Sequence, residues 1–191
     1  MEKDPVTKFR LALIGGSAGG LDALFRILGR IRQPPPFPLV AVLHRKADAD
    51  TLLVDLLESR SALPVKEAEE KDLPEAGMLY VAPADHHLLF ENDGSFALDA
   101  SEKINYSRPS LDVSFESAAL VYGPQLVCIL LSGANADGAE GLREARRAGA
   151  TCIVQSPSSA EVPFMPENAL RETEVDLVLN AESIGDFIAG R

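Results

Sequence analysis

The run Leu11-Ala-Leu-Ile14 ends in Gly15-Gly-Ser-Ala-Gly-Gly20 and passes at once into the amphipathic segment Leu21 to Ile31. No other stretch constrains the fold as strongly. An apolar run without alternation reads as a strand buried on both faces. The glycines allow a sharp turn without Cβ clashes, and the spacing that follows is helical. Strand, tight turn and helix together begin a βαβ crossover. The same alternation recurs downstream. Strands are expected at Phe9 to Ile14, Leu39 to Leu43, Met78 to Val81, Gln125 to Leu131, Ala150 to Gln155 and Val175 to Leu179. Helices are expected at Leu21 to Ile31, Ala49 to Arg60, Leu111 to Tyr122, Ala139 to Ala148 and Pro166 to Glu172. The predicted fold is α/β, with a doubly wound, mostly parallel, Rossmann-like sheet and helices on both faces. One segment departs from the alternation. His87 to Glu91, Asn92-Asp-Gly94 and Ser95 to Asp99 read as a β-hairpin, expected as an antiparallel extension at one edge.

At 191 residues the chain suits one domain, expected to span residues 1–191. No apolar run reaches the roughly 20 residues needed to cross a bilayer. Met1 to Lys8 lacks the apolar core of a signal peptide. Cys128 and Cys152 each sit in an apolar strand-like run, which favours buried thiols over a disulfide or a metal site. A cytoplasmic location without membrane insertion is the expectation. The formal net charge of −11 argues against nucleic acid as a partner, because phosphate binding needs a basic face. The acidic runs Glu67 to Asp72 and Glu167 to Asp176 read as solvated faces and loops.

Ligands of open α/β sheets bind beyond the carboxyl ends of the strands. Three such ends carry reactive side chains. Ser17 follows the first strand within a G-x-S-x-G pattern, His44 follows the second, and Asp137 lies in the loop after Gln125 to Leu131. Right-handed crossovers bring these ends to one edge of the sheet. A serine hydroxyl needs a base to take its proton, and the base needs an orienting carboxylate. Each residue also has a plain structural reading. His44 could be a hydrogen-bonded strand-end histidine, with His86 and His87 as rival bases. Asp137 before Gly138 could cap the helix that follows. A dinucleotide site is disfavoured. Ser17 stands where G-x-G-x-x-G needs its middle glycine, and the second strand ends in His44 where a ribose-binding acid is expected. No Walker-type Gly-Lys-Ser/Thr is present, and no cofactor or metal is called for.

Several ordered blocks together resemble the catalytic domain of the chemotaxis protein-glutamate methylesterases, the CheB family. They are the turn at 15–20, His44, Ala76-Gly-Met-Leu-Tyr-Val-Ala-Pro83 with His87-Leu88, Ser107-Arg-Pro-Ser-Leu-Asp112, the Leu131-Ser-Gly to Asp137-Gly138 loop, and Met165-Pro166. The resemblance runs from Ile14 to about Ile184. It implies hydrolysis of glutamyl methyl esters on the cytoplasmic helices of chemoreceptors, and deamidation of glutamines there. It assigns Ser17 as nucleophile, His44 as base and Asp137 as its orienting partner. Ala18, Ala134 and Asn135 fall in the oxyanion and site loops. Arg45, Lys46 and Arg108 are expected to rim the site and meet acidic receptor helices. The N-terminal receiver domain common in the family has no counterpart before Phe9, so a stand-alone form or a piece of a longer protein is expected. Ala18 replaces the usual Thr, Leu43 the usual Gln, and Ala134 and Asn135 a Met and a Gly. These departures motivate a second reading, a weakened or inactive partner-binding module of the same fold. A small-molecule esterase is a third.

Overall fold

The structure is a computed structural model that describes residues 8–46 and 52–190. A seven-stranded parallel sheet runs through it. Its strands are β1 (Leu11–Gly16), β2 (Leu39–Leu43), β3 (Val65–Glu67), β4 (Leu79–Val81), β7 (Leu126–Leu130), β8 (Thr151–Gln155) and β9 (Leu177–Leu179), in the order β3-β4-β2-β1-β7-β8-β9. The hairpin strands β5 (His87–Phe90) and β6 (Phe96–Asp99) pair antiparallel. They form a two-stranded sheet of their own rather than adding to an edge of the large sheet. The large sheet carries helices α1 (Gly20–Leu28), α2 (Leu53–Ser59), α3 (Leu111–Tyr122), α4 (Ala139–Arg147), α5 (Phe164–Glu172) and α6 (Ala181–Ile188). The expected start of the second helix at Ala49 lies outside the described residues.

The central strands β1, β2, β4 and β7 lack polar alternation because every residue in them is buried. Ala12 and Ile14 of β1 face one core, with Leu24 and Ile27 of α1 and Ile184 of α6. Leu11 and Leu13 face the other, with Phe115 of α3 and Leu142 of α4. At ~25 cal/mol per Å² of apolar area, two such cores are the main source of stability. The hairpin packs on the second core. Ser114 Oγ donates to Leu88 O at 2.7 Å, Phe90 N–H donates to Ser117 Oγ at 2.7 Å, and the Phe90 ring meets Tyr122 edge-on. Part of the acidic run serves this docking: Glu70 accepts the Leu98 N–H at 2.7 Å, and Asp72 O accepts that of Phe96 at 2.9 Å.

β1 lies between β2, with Gly16 opposite Leu43, and β7, with Gly15 opposite Leu130. The chain leaves β1 toward β2 and later enters β7 on the opposite side, so the strand order switches here. The carboxyl ends of these three strands form the crevice in which α/β sheets place their ligands.

Candidate active site

Ser17 is the residue after β1. Its N–H donates to Ser132 O at 2.9 Å, and Gly20 N–H closes the turn onto Ser17 O at 2.7 Å. His44 follows β2 and donates its own N–H to Gly16 O at 3.0 Å, which brings it alongside the turn. The loop after β7 approaches from the other side. A Cβ placed on Gly133 would lie 2.9 Å from Ser17 Cβ and 1.9 Å from Met165 Sδ. Only glycine lets this loop and Met165 close on the serine. Ser132 Oγ accepts the Val162 N–H at 2.8 Å and donates to Ala18 O at 2.7 Å, which pins the backbone around the turn. No hydrogen bond among the described residues takes the N–H of Ala18 or of Ala134. Two backbone donors beside the serine therefore remain available.

His44 Nε2 lies 2.7 Å from Asp137 Oδ2. Asp137 is 1% exposed and receives four further hydrogen bonds, from Leu111 N (2.6 Å), Asp112 N (3.1 Å), Ser110 Oγ (3.0 Å) and Asn105 Nδ2 (3.2 Å). Burial opposes its charge. The hydrogen bond from His44 and the N–H groups of Leu111 and Asp112 outweigh burial and hold the carboxyl below the usual carboxylate range. An ionised Asp137 accepts the hydrogen bond of Nε2–H, so the imidazole proton stays on Nε2. Nδ1 keeps its lone pair and is the nitrogen that can act as base.

Asp137 does not cap its own helix. Its carboxylate sits on the first N–H groups of α3, while α4 has Gly138 at its N-cap and no side-chain cap there. Asp112, in the first turn of α3, serves α4 in return. Its Oδ1 accepts from Gly138 N at 2.9 Å and Gly141 N at 2.7 Å. The loop before α4 thus supplies the anion for the positive end of α3, and α3 supplies the one for α4. Asn105 Nδ2 spans both carboxylates, reaching Asp112 Oδ2 at 2.9 Å.

Burial raises the Asp112 carboxyl, the Gly141 N–H opposes that, and the charge of Asp137 adds to the rise, leaving it at about 6. The unfolded value is about 3.9. A folded value above the unfolded one contributes stability that is present below about pH 4 and lost as pH rises through about 6. Asp112→Asn keeps an oxygen for the α4 N–H groups and removes this titration. The stability of the native protein relative to Asp112→Asn should fall by an amount on the order of 2 kcal/mol between pH 4 and pH 6.5 in urea titrations. A difference that stays constant with pH would show that Asp112 titrates alike in both states.

The other two histidines bond to backbone groups. His87 is buried, with Nε2 2.8 Å from Glu102 O and Nδ1 accepting from Ser110 N at 3.1 Å. His86 Nδ1 lies 3.0 Å from Ala84 O. Of the expected rim cations, Arg45 and Arg108 are engaged within the protein. Arg45 donates to Ala82 O at 2.7 Å. Arg108 binds Asp85 Oδ1 at 2.5 Å and the carbonyls of Ala100 (3.1 Å) and Ser101 (2.8 Å), which holds the loop before α3. These two line a cavity of about 430 Å³ with His44, Lys46, Asp85, Lys103, Tyr106 and Ser107. Tyr106 is 99% exposed at positive φ, next to Asn105. Sequence reasoning named neither residue, nor Lys103. Asn135 joins the site directly: its Nδ2 lies 3.2 Å from His44 Nδ1 and 3.3 Å from Ser107 Oγ. Among the described residues no cluster of His, Cys, Asp and Glu could hold a metal ion. Cys128 and Cys152 are free and buried.

A family model described as CheB methylesterase matches residues 12–188. A Leptospira interrogans protein is 42% identical over 179 residues, covering 94% of this chain and 93% of the relative. The protein-glutamate methylesterase/protein-glutamine glutaminase 2 of Methanosarcina mazei is 34% identical over 182 residues, covering 92% of this chain and 50% of its own. The chain thus spans about half the length of that relative. The crystal structure of the Thermotoga maritima CheB methylesterase catalytic domain superposes with a TM-score of 0.90 at 33% identity, covering 95% of this chain and 97% of that one.

Proposed function

The chain belongs to the CheB methylesterase family, and we propose that it hydrolyses glutamyl methyl esters on the cytoplasmic helices of chemoreceptors by a serine mechanism. The observation that carries this reading is the His44–Asp137 pair at 2.7 Å, with Asp137 held ionised, beside the turn that presents Ser17. Ser17 Oγ attacks the ester carbonyl as its proton passes to His44 Nδ1. The oxyanion is met by the Ala18 and Ala134 N–H groups. The tetrahedral intermediate collapses, the C–OCH3 bond breaks, and methanol leaves with the proton from His44. Water then gives a proton to His44 and attacks the acyl-enzyme, and the glutamate carboxylate is released with regeneration of Ser17. A glutamine side chain follows the same path with ammonia as leaving group, so deamidation belongs to the same proposal.

The basic cavity beside His44 supports an acidic protein substrate despite the overall charge of −11. Lys46 and Lys103 are the candidate contacts, with Tyr106 as an exposed aromatic at the rim. Arg45 and Arg108 act mainly by holding the cavity's walls. Receptor helices of this kind place the protein's work in the cytoplasm, and among the described residues no helix is long and apolar enough to cross a membrane. The two available oxyanion donors favour an enzyme over an inactive module. The test is methanol release from methyl-esterified receptor helices by the native protein and by Ser17→Ala. Equal release from the two would overturn the proposal.

A further inference from the structure

We propose that Asn135 is a latch on the general base: its carboxamide occupies His44 Nδ1, the nitrogen that must take the proton of Ser17, and has to leave before catalysis proceeds. The inference rests on the serine mechanism above and adds to it a control that this chain's own loop supplies. The orientation of the amide is set by its partners. Asn135 Oδ1 accepts the Asp137 N–H at 3.1 Å, so Nδ2 is the atom that faces His44 Nδ1 at 3.2 Å and Ser107 Oγ at 3.3 Å. His44 Nε2 is committed to the ionised Asp137, so Nδ1 carries the lone pair and accepts from Nδ2–H. Among the described residues no hydrogen bond joins Ser17 Oγ to His44; the acceptor position is already filled by Asn135.

This has a chemical consequence. When His44 takes a proton, Nδ1 becomes a donor and would point at the N–H of Asn135, donor against donor. The amide therefore favours neutral His44 and opposes the imidazolium formed during attack and during water activation. A substrate carbonyl that accepts the Asn135 N–H removes this opposition, so the base is freed where substrate is present. Asn135 is not among the residues at positive φ, so its backbone does not require glycine. Alanine and glycine both fit the site's backbone and delete only the amide.

The test has two arms. In kinetics, Asn135→Ala and Asn135→Gly should each raise kcat on the methyl ester by roughly three- to tenfold, the worth of one hydrogen bond, with KM within about twofold. The acid limb of kcat/KM should move to higher pH, because removing a donor to the lone pair makes that nitrogen easier to protonate. A fall in kcat in both folded variants, or an unmoved limb, overturns the proposal. The second arm needs no activity. In 15N-histidine-labelled Ser17→Ala protein, the His44 resonances should titrate at lower pH with Asn135 present than in Ser17→Ala/Asn135→Gly, by roughly half to one unit. Asn135→Asp reverses the partner from donor to acceptor and should move the midpoint above that of the glycine variant. Other charges around His44 are the same in the asparagine and glycine proteins. Asp137 lies on the carboxylate side with Asp112 behind it, and Arg45, Lys46, Asp85, Lys103, Tyr106 and Arg108 lie on the cavity side. Equal midpoints in the asparagine and glycine proteins overturn the latch even if the esterase assignment stands. Shifted midpoints in a protein that releases no methanol leave the hydrogen bond established and refute the substrate assignment alone.

Discussion

Ser17→Ala is expected to lower methyl-ester hydrolysis by roughly 10⁴-fold or more, an activation difference of at least about 5.5 kcal/mol, while leaving the urea midpoint almost unchanged. The two halves of this expectation have different sources. The hydroxyl makes no hydrogen bond among the described residues, and the Cβ that packs against Gly133 stays in alanine. Truncation therefore removes no partner from a buried group and opens no cavity, so the stability change should stay within about 0.5 kcal/mol. The chemistry loses its covalent route altogether. The residual rate would come from the Ala18 and Ala134 donors acting on direct water attack, which His44 and Asp137 can still assist. Methanol release over a wide range of protein concentration, paired with urea unfolding of the same preparation, measures both quantities. A loss of only tenfold, or a collapse in stability, would assign Ser17 to the structure rather than to the reaction.

The strand-end positions of Ser17, His44 and Asp137 were legible in the sequence because each follows an apolar run buried on both faces. Such runs fix the edge of the sheet at which their ends lie. α3 has the bounds expected from its sequence, and the structure adds Ser110 as its N-cap, with Oγ accepting the Val113 N–H at 3.4 Å. α6 was missed, although Asn180 caps it with a 2.8 Å bond from Ser183 N. Gly185 lies inside that helix and reads as a breaker. Its reason is tertiary: a Cβ there would come 2.5 Å from Ile27 O of α1. β3 was missed for the opposite cause, being three residues long, partly polar and at the sheet edge, where burial leaves no periodic signal. In the site, charge was readable but its use was not. Arg108 looks like a rim cation until Asp85 and two carbonyls are found around it, and Asp112 looks like an ordinary first-turn acid until α4 is seen to need it. Asn105 offers no chemical signal in sequence, because its importance depends on two carboxylates that meet only in the folded chain.

Asp137→Asn is expected to cost both activity and stability, in contrast to Ser17→Ala. The native carboxylate accepts five hydrogen bonds and donates none: Oδ2 serves His44 Nε2 and Leu111 N, and Oδ1 serves Ser110 Oγ, Asp112 N and Asn105 Nδ2. An amide cannot satisfy that set. Placed toward His44, its NH2 opposes the Leu111 N–H and forces the imidazole proton onto Nδ1, where it can no longer receive the proton of Ser17. Placed the other way, it opposes the N–H of Asp112 and the amide of Asn105. The first orientation predicts a fall in kcat of roughly 10³- to 10⁴-fold through the wrong tautomer. Either orientation leaves buried donors without an acceptor, at roughly 2–4 kcal/mol. The pH dependence separates this from a general packing defect. The folded carboxyl lies below its unfolded value, so its contribution is present above the ordinary carboxylate range and is lost as pH falls through the folded value. The stability gap between native protein and Asp137→Asn should be widest near pH 7 and should narrow below about pH 4. A gap that holds constant down to pH 2.5 would mean that Asp137 is not held as an anion, and the pairing that orients His44 would have to be abandoned with it.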